Sequence, residues 1–312
     1  GDRTNGRDRS ADRMNRLISD YLQPGVVSQL DRLDLVARLV VEGFITGLHQ
    51  SPYHGFSVEF SEYRQYMPGD PLKNLDWKVW GRTDRLFVKQ YEEETNLKAF
   101  LVLDSSASMS YGSDDITKHR YASLVSAALA HLMLRQRDAV GLVSFDRILR
   151  TYLPPRSINS YLHTLLHAIE SSKPDGSDTN LADTFHDLAE RIKRRALIIV
   201  LSDLLDDVDS IMNGLKHFRH RNHEVIVFHL LDPRERDLAF DRETLFVDLE
   251  SGSRISTEPW QIAKEYRAEI EARIGRLQKE CRENFIDYVC LDTQTPFNVA
   301  LSNYLAKRKR LV

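Results

Sequence analysis

Short, continuously apolar stretches recur along the last two thirds of the chain, at residues 99–103, 139–145, 197–201, 225–231 and 285–291. Continuous apolar runs of this length are typical of strands buried on both faces, as in a parallel sheet. The run at 148–153 directly follows another strand, which predicts an antiparallel edge strand. We therefore expect an α/β fold: an open, mostly parallel sheet with helices on both faces.

The segments between these strands carry apolar residues at helical spacing. Helices are predicted near 158–169 and 181–192, through 211–218, over 260–281 and from Phe297. The first helix between strands shows the clearest inward face, formed by Tyr121, Leu124, Val125, Ala128, Leu129 and Leu132. The segment 232–257 is charged and predicted to be partly loop.

The first third of the chain has a different pattern. Residues 1–13 alternate Arg and Asp with almost no apolar residue and cannot bury an apolar face, and we predict a disordered segment over residues 1–24. Ser28 and Asp31 resemble a capping box before an amphipathic helix that should end near Gly43. Aromatics, prolines and glycines then predict loops and a few strands up to residue 96. We expect a mixed, β-rich appendage at 25–96 and the main domain at 97–312.

Composition narrows the class of protein. The chain has 312 residues, 42% of them hydrophobic and 29% charged, with a formal net charge of −3. No stretch resembles a membrane span or a signal peptide, so we expect a soluble, cytoplasmic protein. The balanced charge gives no reason to expect a nucleic-acid partner. Two cysteines are too few for a zinc cluster or a disulfide framework.

A basic run, residues 307–310, ends the last predicted helix. Such cations could contact phosphate or an anionic membrane. They also complement the negative end of the helix dipole. We favour a solvated helix end.

A carboxylate and two hydroxyls, Asp104, Ser106 and Ser108, follow the first buried strand at alternate positions. Magnesium prefers oxygen ligands in octahedral geometry and keeps several waters, so one carboxylate with hydroxyls suits it. In isolation, serines after a strand are more often turn formers or helix caps.

Two later positions strengthen the metal interpretation. Thr179 precedes a predicted helix, and Asp203 follows the strand at 197–201. Ligand sites of open α/β sheets lie beyond the carboxyl ends of the strands, where these loops meet. The sequence therefore predicts a Mg²⁺ site, with Mn²⁺ as a second choice, built from Asp104, Ser106, Ser108, Thr179 and Asp203. The alternative is that these groups only cap helices.

This pattern of Asp-x-Ser-x-Ser, Thr and Asp resembles the metal-ion-dependent adhesion site of von Willebrand factor type A domains. A second resemblance is to the bacterial domain-of-unknown-function family fifty-eight, in which a motif-rich block precedes such a domain. The matching motifs are Gly47-x-His49-x-Ser51, Glu59-Phe60, Arg64-x-Tyr66-x-Pro68-Gly69-Asp70, Asp76-Trp77, Gly81-Arg82 and 88–94.

The resemblance implies a von Willebrand factor A-like fold and an accessory or adaptor role beside a MoxR-type AAA+ ATPase. The chain itself has no Gly-rich Lys-Ser/Thr phosphate loop, so nucleotide hydrolysis would belong to the partner. An acidic side chain of a protein partner would complete the metal shell. His49 and His54 lie in a predicted loop, where a structural role or metal ligation are both open.

Two other classes of function stay open. A magnesium-dependent hydrolase or phosphatase is disfavoured because Ser106 stands where haloacid-dehalogenase-like sites have a second aspartate, and no Gly-x-Ser-x-Gly elbow occurs. A structural subunit with a metal-free site is the other alternative. We expect a non-enzymatic, metal-dependent protein-binding module.

Overall fold

A computed structural model describes residues 24, 32–50, 63–65, 87–89, 97–174 and 181–311. The strands are β1 (Tyr63–Gln65), β2 (Phe87–Lys89), β3 (Lys98–Asp104), β4 (Ala139–Phe145), β5 (Leu149–Arg156), β6 (Leu197–Ser202), β7 (Glu224–Leu231), β8 (Thr244–Val247), β9 (Arg254–Thr257) and β10 (Asp287–Asp292). The α-helices are α1 (Leu33–Gln50), α2 (Lys118–Arg135), α3 (Tyr161–Ser171), α4 (Leu181–Arg191), α5 (Val208–His220), α6 (Pro233–Asp237), α7 (Pro259–Glu283) and α8 (Asn298–Leu311). A short 3-10 helix spans Ala107–Ser110.

Six of these strands form one sheet in the order β10-β7-β6-β3-β4-β5. Neighbouring strands are parallel except β4 and β5, which are antiparallel. Strand β3 lies in the middle, where Leu101 pairs with Leu142 on one side and Ile199 on the other. The predicted fold class and the antiparallel edge strand are confirmed. Strands β1 and β2, and separately β8 and β9, form small antiparallel pairs.

Side chains of the central strand alternate between two apolar cores, one on each face of the sheet. Leu101 and Leu103 join the core that includes residues of α1, α2, α3 and α8. Phe100 and Val102 join the core that includes residues of α4, α5 and α7. Because both faces are covered, almost every strand residue there is apolar, which explains the nearly continuous runs in the sequence. The sheet is therefore held rigidly, and its carboxyl edge is a fixed platform.

Helix α1 differs from its prediction. It continues to Gln50, seven residues beyond the expected end at Gly43. Phe44 and Ile45 are buried in the first core, so their packing outweighs the cost of a glycine within the helix. The helix, which the sequence analysis groups with the appendage, thus contributes to the main core. The domain boundary at residue 97 stays a prediction.

The segment 232–257, predicted to be partly loop, contains helix α6 and the β8–β9 hairpin. Asp232 caps α6, and its backbone N–H donates to Glu235 while Pro233 occupies the first turn. This capping box was legible in the sequence as Asp-Pro-Arg-Glu. The turn places Glu235 next to the carboxyl end of β7.

The basic run at the end of α8 is a solvated helix end only in part: Lys309 and Arg310 are exposed, whereas Lys307 and Arg308 are not. Lys307 is buried and its Nζ lies 2.9 Å from Glu224 and 3.0 Å from Asp287. Arg308 donates to the buried carboxylate of Asp138. The partners come from other elements of the sheet, so these cations fasten α8 to the domain.

Some predicted features lie outside the described residues. These include Thr179, His54 and most of the motif block between residues 51 and 96; for His49 the backbone alone is described. Among the helices of the described ranges, none has the length and apolar character required to cross a membrane.

One buried histidine predicts acid sensitivity. His119 of α2 is 8% exposed, and burial lowers its pKa from 6.5 to about 4. Between these values the unfolded chain binds a proton that the folded protein does not, so stability falls as the pH falls from 6.5 towards 4. At pH 4 we expect His119 to lower the free energy of unfolding by roughly 3 kcal/mol, and His119→Leu to remove this loss. Urea unfolding of both proteins at pH 7 and pH 4 measures the difference, and equal losses would contradict it.

Candidate metal centre

Asp104 is the last residue of the central strand and is 1% exposed. Its Oδ1 accepts a 2.9 Å hydrogen bond from the backbone N–H of Ser106. Its Oδ2 accepts a 2.5 Å hydrogen bond from the hydroxyl of Ser202, at the end of the neighbouring strand β6. The carboxylate is thus fixed where β3 and β6 both end.

The two predicted hydroxyl ligands lie next to each other. Ser106 Oγ and Ser108 Oγ are 3.0 Å apart, and both side chains are buried. Ser105, between Asp104 and Ser106, ties the loop to β4 because its backbone N–H and its hydroxyl both donate to the Phe145 carbonyl. The short 3-10 helix then turns the chain away from the sheet. The loop therefore presents one carboxylate and two hydroxyls together.

Asp203 follows β6 directly and is 2% exposed. The next residue, Leu204, has φ of 50°, a left-handed conformation that is uncommon for a branched side chain. The Arg273 guanidinium of α7 donates to the carbonyls of Leu204 and Asp206, which holds this loop in place. Arg273, which is not a predicted metal ligand, thus helps to fix the loop that begins at Asp203.

Lys118 was not predicted from the sequence to belong to the site, yet its ammonium group pairs with the predicted ligand Asp203. Its Nζ donates to Asp203 Oδ2 at 2.8 Å and to Glu235 Oε1 at 2.6 Å, and its side chain is 0% exposed. A lysine at the start of α2 reads as a surface residue in sequence. Only the fold reveals partners 85 and 117 residues away.

A histidine and a tyrosine support Asp203 from β7 and β10. His229 is buried, its Nε2 lies 2.9 Å from the Asp203 carbonyl, and its Nδ1 lies 2.5 Å from the Tyr288 hydroxyl. Since a carbonyl only accepts, Nε2 donates and Nδ1 accepts from the tyrosine. Burial lowers the pKa of His229 to about 4, so the ring is neutral at pH 7.

The electrostatics of the site favour an added positive charge. Burial, and then the charge of Asp203, raise the pKa of Asp104 to about 7 despite its hydrogen bonds. Burial also raises the pKa of Glu235. For Lys118, burial opposes the charged form, but Asp203 and Glu235 more than offset this and raise its pKa. With all three carboxylates ionised, as a bound cation would favour, the one ammonium leaves a formal charge of −2.

These donors fit a hard divalent cation. All are oxygens, as Mg²⁺ and Mn²⁺ prefer, and the formal charge matches. The structure brings Asp104, Ser106 and Ser108 together and places Asp203 close enough for its charge to act on Asp104. Thr179 lies outside the described residues. Within the described ranges, no group of three His, Cys, Asp or Glu side chains forms a metal cluster, so hydroxyls would be essential ligands.

The chain has relatives in other bacteria. It is 29% identical over 238 residues to the uncharacterized protein Rv1480 of Mycobacterium tuberculosis (strain ATCC 25618 / H37Rv), which covers 76% of this chain and 74% of the relative. It is 24% identical over 168 residues to the uncharacterized protein YeaD of Bacillus subtilis (strain 168), covering 54% and 40%.

Solved structures with a similar fold include the conserved hypothetical protein BatB from Bacteroides thetaiotaomicron. The identity is 18%, the TM-score is 0.47, and 68% of this chain and 99% of that chain are covered. The SpRpn10 VWA domain is also similar, with 10% identity, a TM-score of 0.37, and 67% and 95% coverage. The family described as "Protein of unknown function DUF58" matches residues 62–280, which is more than half of the sequence. The chain belongs to the DUF58 family.

Proposed function

We propose that this protein is a non-enzymatic, metal-dependent protein-binding module, acting in the cytoplasm as an adaptor or accessory factor for a MoxR-type AAA+ ATPase. One observation carries the proposal. The Asp104 carboxylate and the Ser106 and Ser108 hydroxyls are held together at the carboxyl edge of the sheet, and Ser202, which donates to Asp104, is followed directly by a second buried carboxylate, Asp203. Ligands of open α/β sheets bind at this edge.

In this proposal, Mg²⁺ is held by Asp104, Ser106, Ser108 and Thr179, directly or through water. Asp203 contributes either as a ligand or as an acceptor for a bound water. A partner's Asp or Glu completes the coordination shell, so the partner's affinity depends on the metal. The chemistry supplied by the ion is electrostatic: it joins two acidic surfaces that would otherwise repel each other.

The MoxR-type partner is supported by the resemblance of the motif block to the DUF58 family rather than by the geometry of the site. The all-oxygen donors of the site support a carboxylate as the group that the partner would contribute. An ATPase that presents an exposed Asp or Glu is compatible with it.

The metal-free alternative has its own support. Lys118 Nζ already lies 2.8 Å from Asp203, so a resident ammonium neutralises part of the charge that a metal would neutralise. A structural subunit could rely on this pair alone. The hydrolase alternative lacks such support, because Ser106 occupies the position of an acid–base carboxylate. Turnover of a phosphate ester with Mg²⁺ that is lost in Asp104→Asn would favour a hydrolase.

Capture of a MoxR-type ATPase from the same organism tests the proposal. The purified chain is immobilised and the ATPase is passed over it in Mg²⁺ or in chelator. We expect capture in Mg²⁺ to fall at least tenfold in chelator and in Ser106→Ala. Ser110→Ala is the matched control, since the Ser110 hydroxyl donates to the Ala107 carbonyl and is no predicted ligand.

Two outcomes would count against the proposal. Equal capture in Mg²⁺ and chelator would favour the metal-free alternative. Equal losses in Ser106→Ala and Ser110→Ala would show that the loop, rather than a ligand hydroxyl, supports binding.

A further inference from the structure

Lys118 is a permanent positive charge inside the candidate metal centre. Its side chain has no exposed surface, and both of its ion-pair partners are carboxylates, Asp203 at 2.8 Å and Glu235 at 2.6 Å. A buried ammonium is stable only with such partners. Asp203 is therefore occupied by the protein's own cation before any metal enters.

The lysine and a divalent ion would act on the same carboxylate. Without the lysine, the buried Asp203 and the partly exposed Glu235 would lose their ammonium partner, and the buried Asp104 would add a further negative charge to the centre. With it, the formal charge is −2. Charges a few ångströms apart interact strongly where little water screens them, so one ammonium is enough to alter the metal affinity at least tenfold.

We propose that Lys118 is a resident cation that competes with the divalent metal for Asp203 and so sets the metal affinity of the site. This rests on the proposed function, that the centre binds a metal. The lysine keeps the site folded without metal and makes metal binding weak and reversible. Such affinity suits a contact that must form and release.

Glu235 is the second determinant in this proposal, because it shares the lysine with Asp203. Glu235 Oε2 also accepts from the Asp232 N–H, and the Glu235 carbonyl accepts from the Tyr266 hydroxyl of α7. These bonds fix the glutamate independently of the lysine. Removing its charge would leave Lys118 paired to Asp203 alone, which should weaken metal binding further.

Two substitutions at the lysine pair test the idea in opposite directions, in the full chain. Lys118→Met keeps the length of the side chain and removes the charge. We expect it to melt lower than the parent in chelator and to bind Mg²⁺ at least tenfold more tightly. Glu235→Gln removes the charge and leaves one oxygen to accept from either the Asp232 N–H or Lys118 Nζ, and we expect at least threefold weaker Mg²⁺ binding. Calorimetry measures both affinities, and melting curves in chelator and in Mg²⁺ give a second readout.

Lys307→Met is the matched control. Lys307 is also buried between two carboxylates, Glu224 and Asp287, but Glu224 lies at the opposite, amino end of β7. We expect this variant to lose stability in chelator while its Mg²⁺ affinity stays within twofold of the parent.

The outcomes separate the two claims. If the parent binds Mg²⁺ but Lys118→Met binds no more tightly, the competition is wrong and the metal site stands. If Lys118→Met fails to fold, Glu235→Gln still tests the proposal. A Mg²⁺ affinity of Glu235→Gln that equals or exceeds that of the parent overturns it. If the parent binds no Mg²⁺ and Lys118→Met does, competition by the lysine is supported and the metal dependence of the natural protein is wrong. If neither the parent nor Lys118→Met binds Mg²⁺, both the competition and the metal dependence are wrong.

Discussion

Replacing Asp104 with asparagine is expected to abolish Mg²⁺ binding and, in the same protein, to raise the melting temperature in chelator. The carboxylate is the only charged group of the Asp-x-Ser-x-Ser loop, so we expect at least a hundredfold loss of affinity, about 2.7 kcal/mol. Burial, and then the charge of Asp203, raise its pKa to about 7, which means that its charge destabilises the folded state when no metal is bound. An amide has the same shape: its Oδ1 can still accept from the Ser106 N–H, and its Nδ2 can donate to the Ser202 hydroxyl oxygen.

Melting curves of the parent and Asp104→Asn in chelator and in excess Mg²⁺ measure both effects. The control is Asp146→Asn, which alters a buried aspartate after the neighbouring strand β4 that pairs with Arg150. This control should keep the full Mg²⁺ response. A stabilisation by Mg²⁺ that survives in Asp104→Asn would show that the ion binds elsewhere.

The second large effect concerns the fastening of helix α8. Asp138 is fully buried and accepts 2.7 Å hydrogen bonds from both the Tyr304 hydroxyl and Arg308 Nε. Replacing it with alanine leaves a buried hydroxyl and a largely buried guanidinium without this acceptor. Breaking such a buried network costs roughly 3 to 5 kcal/mol. We expect a loss of this size in the free energy of unfolding of Asp138→Ala, measured in urea.

Arg310→Ala provides the comparison for this prediction. Arg310 also pairs with an aspartate, Asp287, but its side chain is 62% exposed. Solvent screening limits such pairs to about 1 kcal/mol or less. Equal costs for the two variants would mean that Asp138 contributes no more than a surface ion pair.

Burial on both faces made most of the fold predictable. Because β3, β4, β6 and β7 are covered by helices on each side, their residues are continuously apolar and easy to recognise in sequence. The end of α1 was not predictable in this way. The helix continues past Gly43 because Phe44 and Ile45 are buried in the core. The local sequence, with its glycine, predicts an end at that point.

In the candidate site, too, the residues that follow from local sequence and sheet topology were predictable. Asp104, Ser106 and Ser108 lie in one loop, so their proximity follows from local sequence alone. Asp203 was predictable because parallel strands end at one edge of the sheet.

The burial of Lys118 and Lys307 was not predictable, because a lysine in sequence, alone or in a basic run, indicates surface. Each finds its carboxylates on elements far along the chain. The ion pairs of these two lysines therefore depend on the fold, whereas the predicted oxygen ligands can largely be recognised from the local sequence.

Calorimetric titration of Mg²⁺ into the full chain, first freed of metal by chelator, tests the central claim most directly. We predict a saturable heat with one equivalent of Mg²⁺ per chain, lost in Asp104→Asn and retained in Asp146→Asn. The absence of a saturable heat in the parent, or an unchanged titration in Asp104→Asn, would contradict the account.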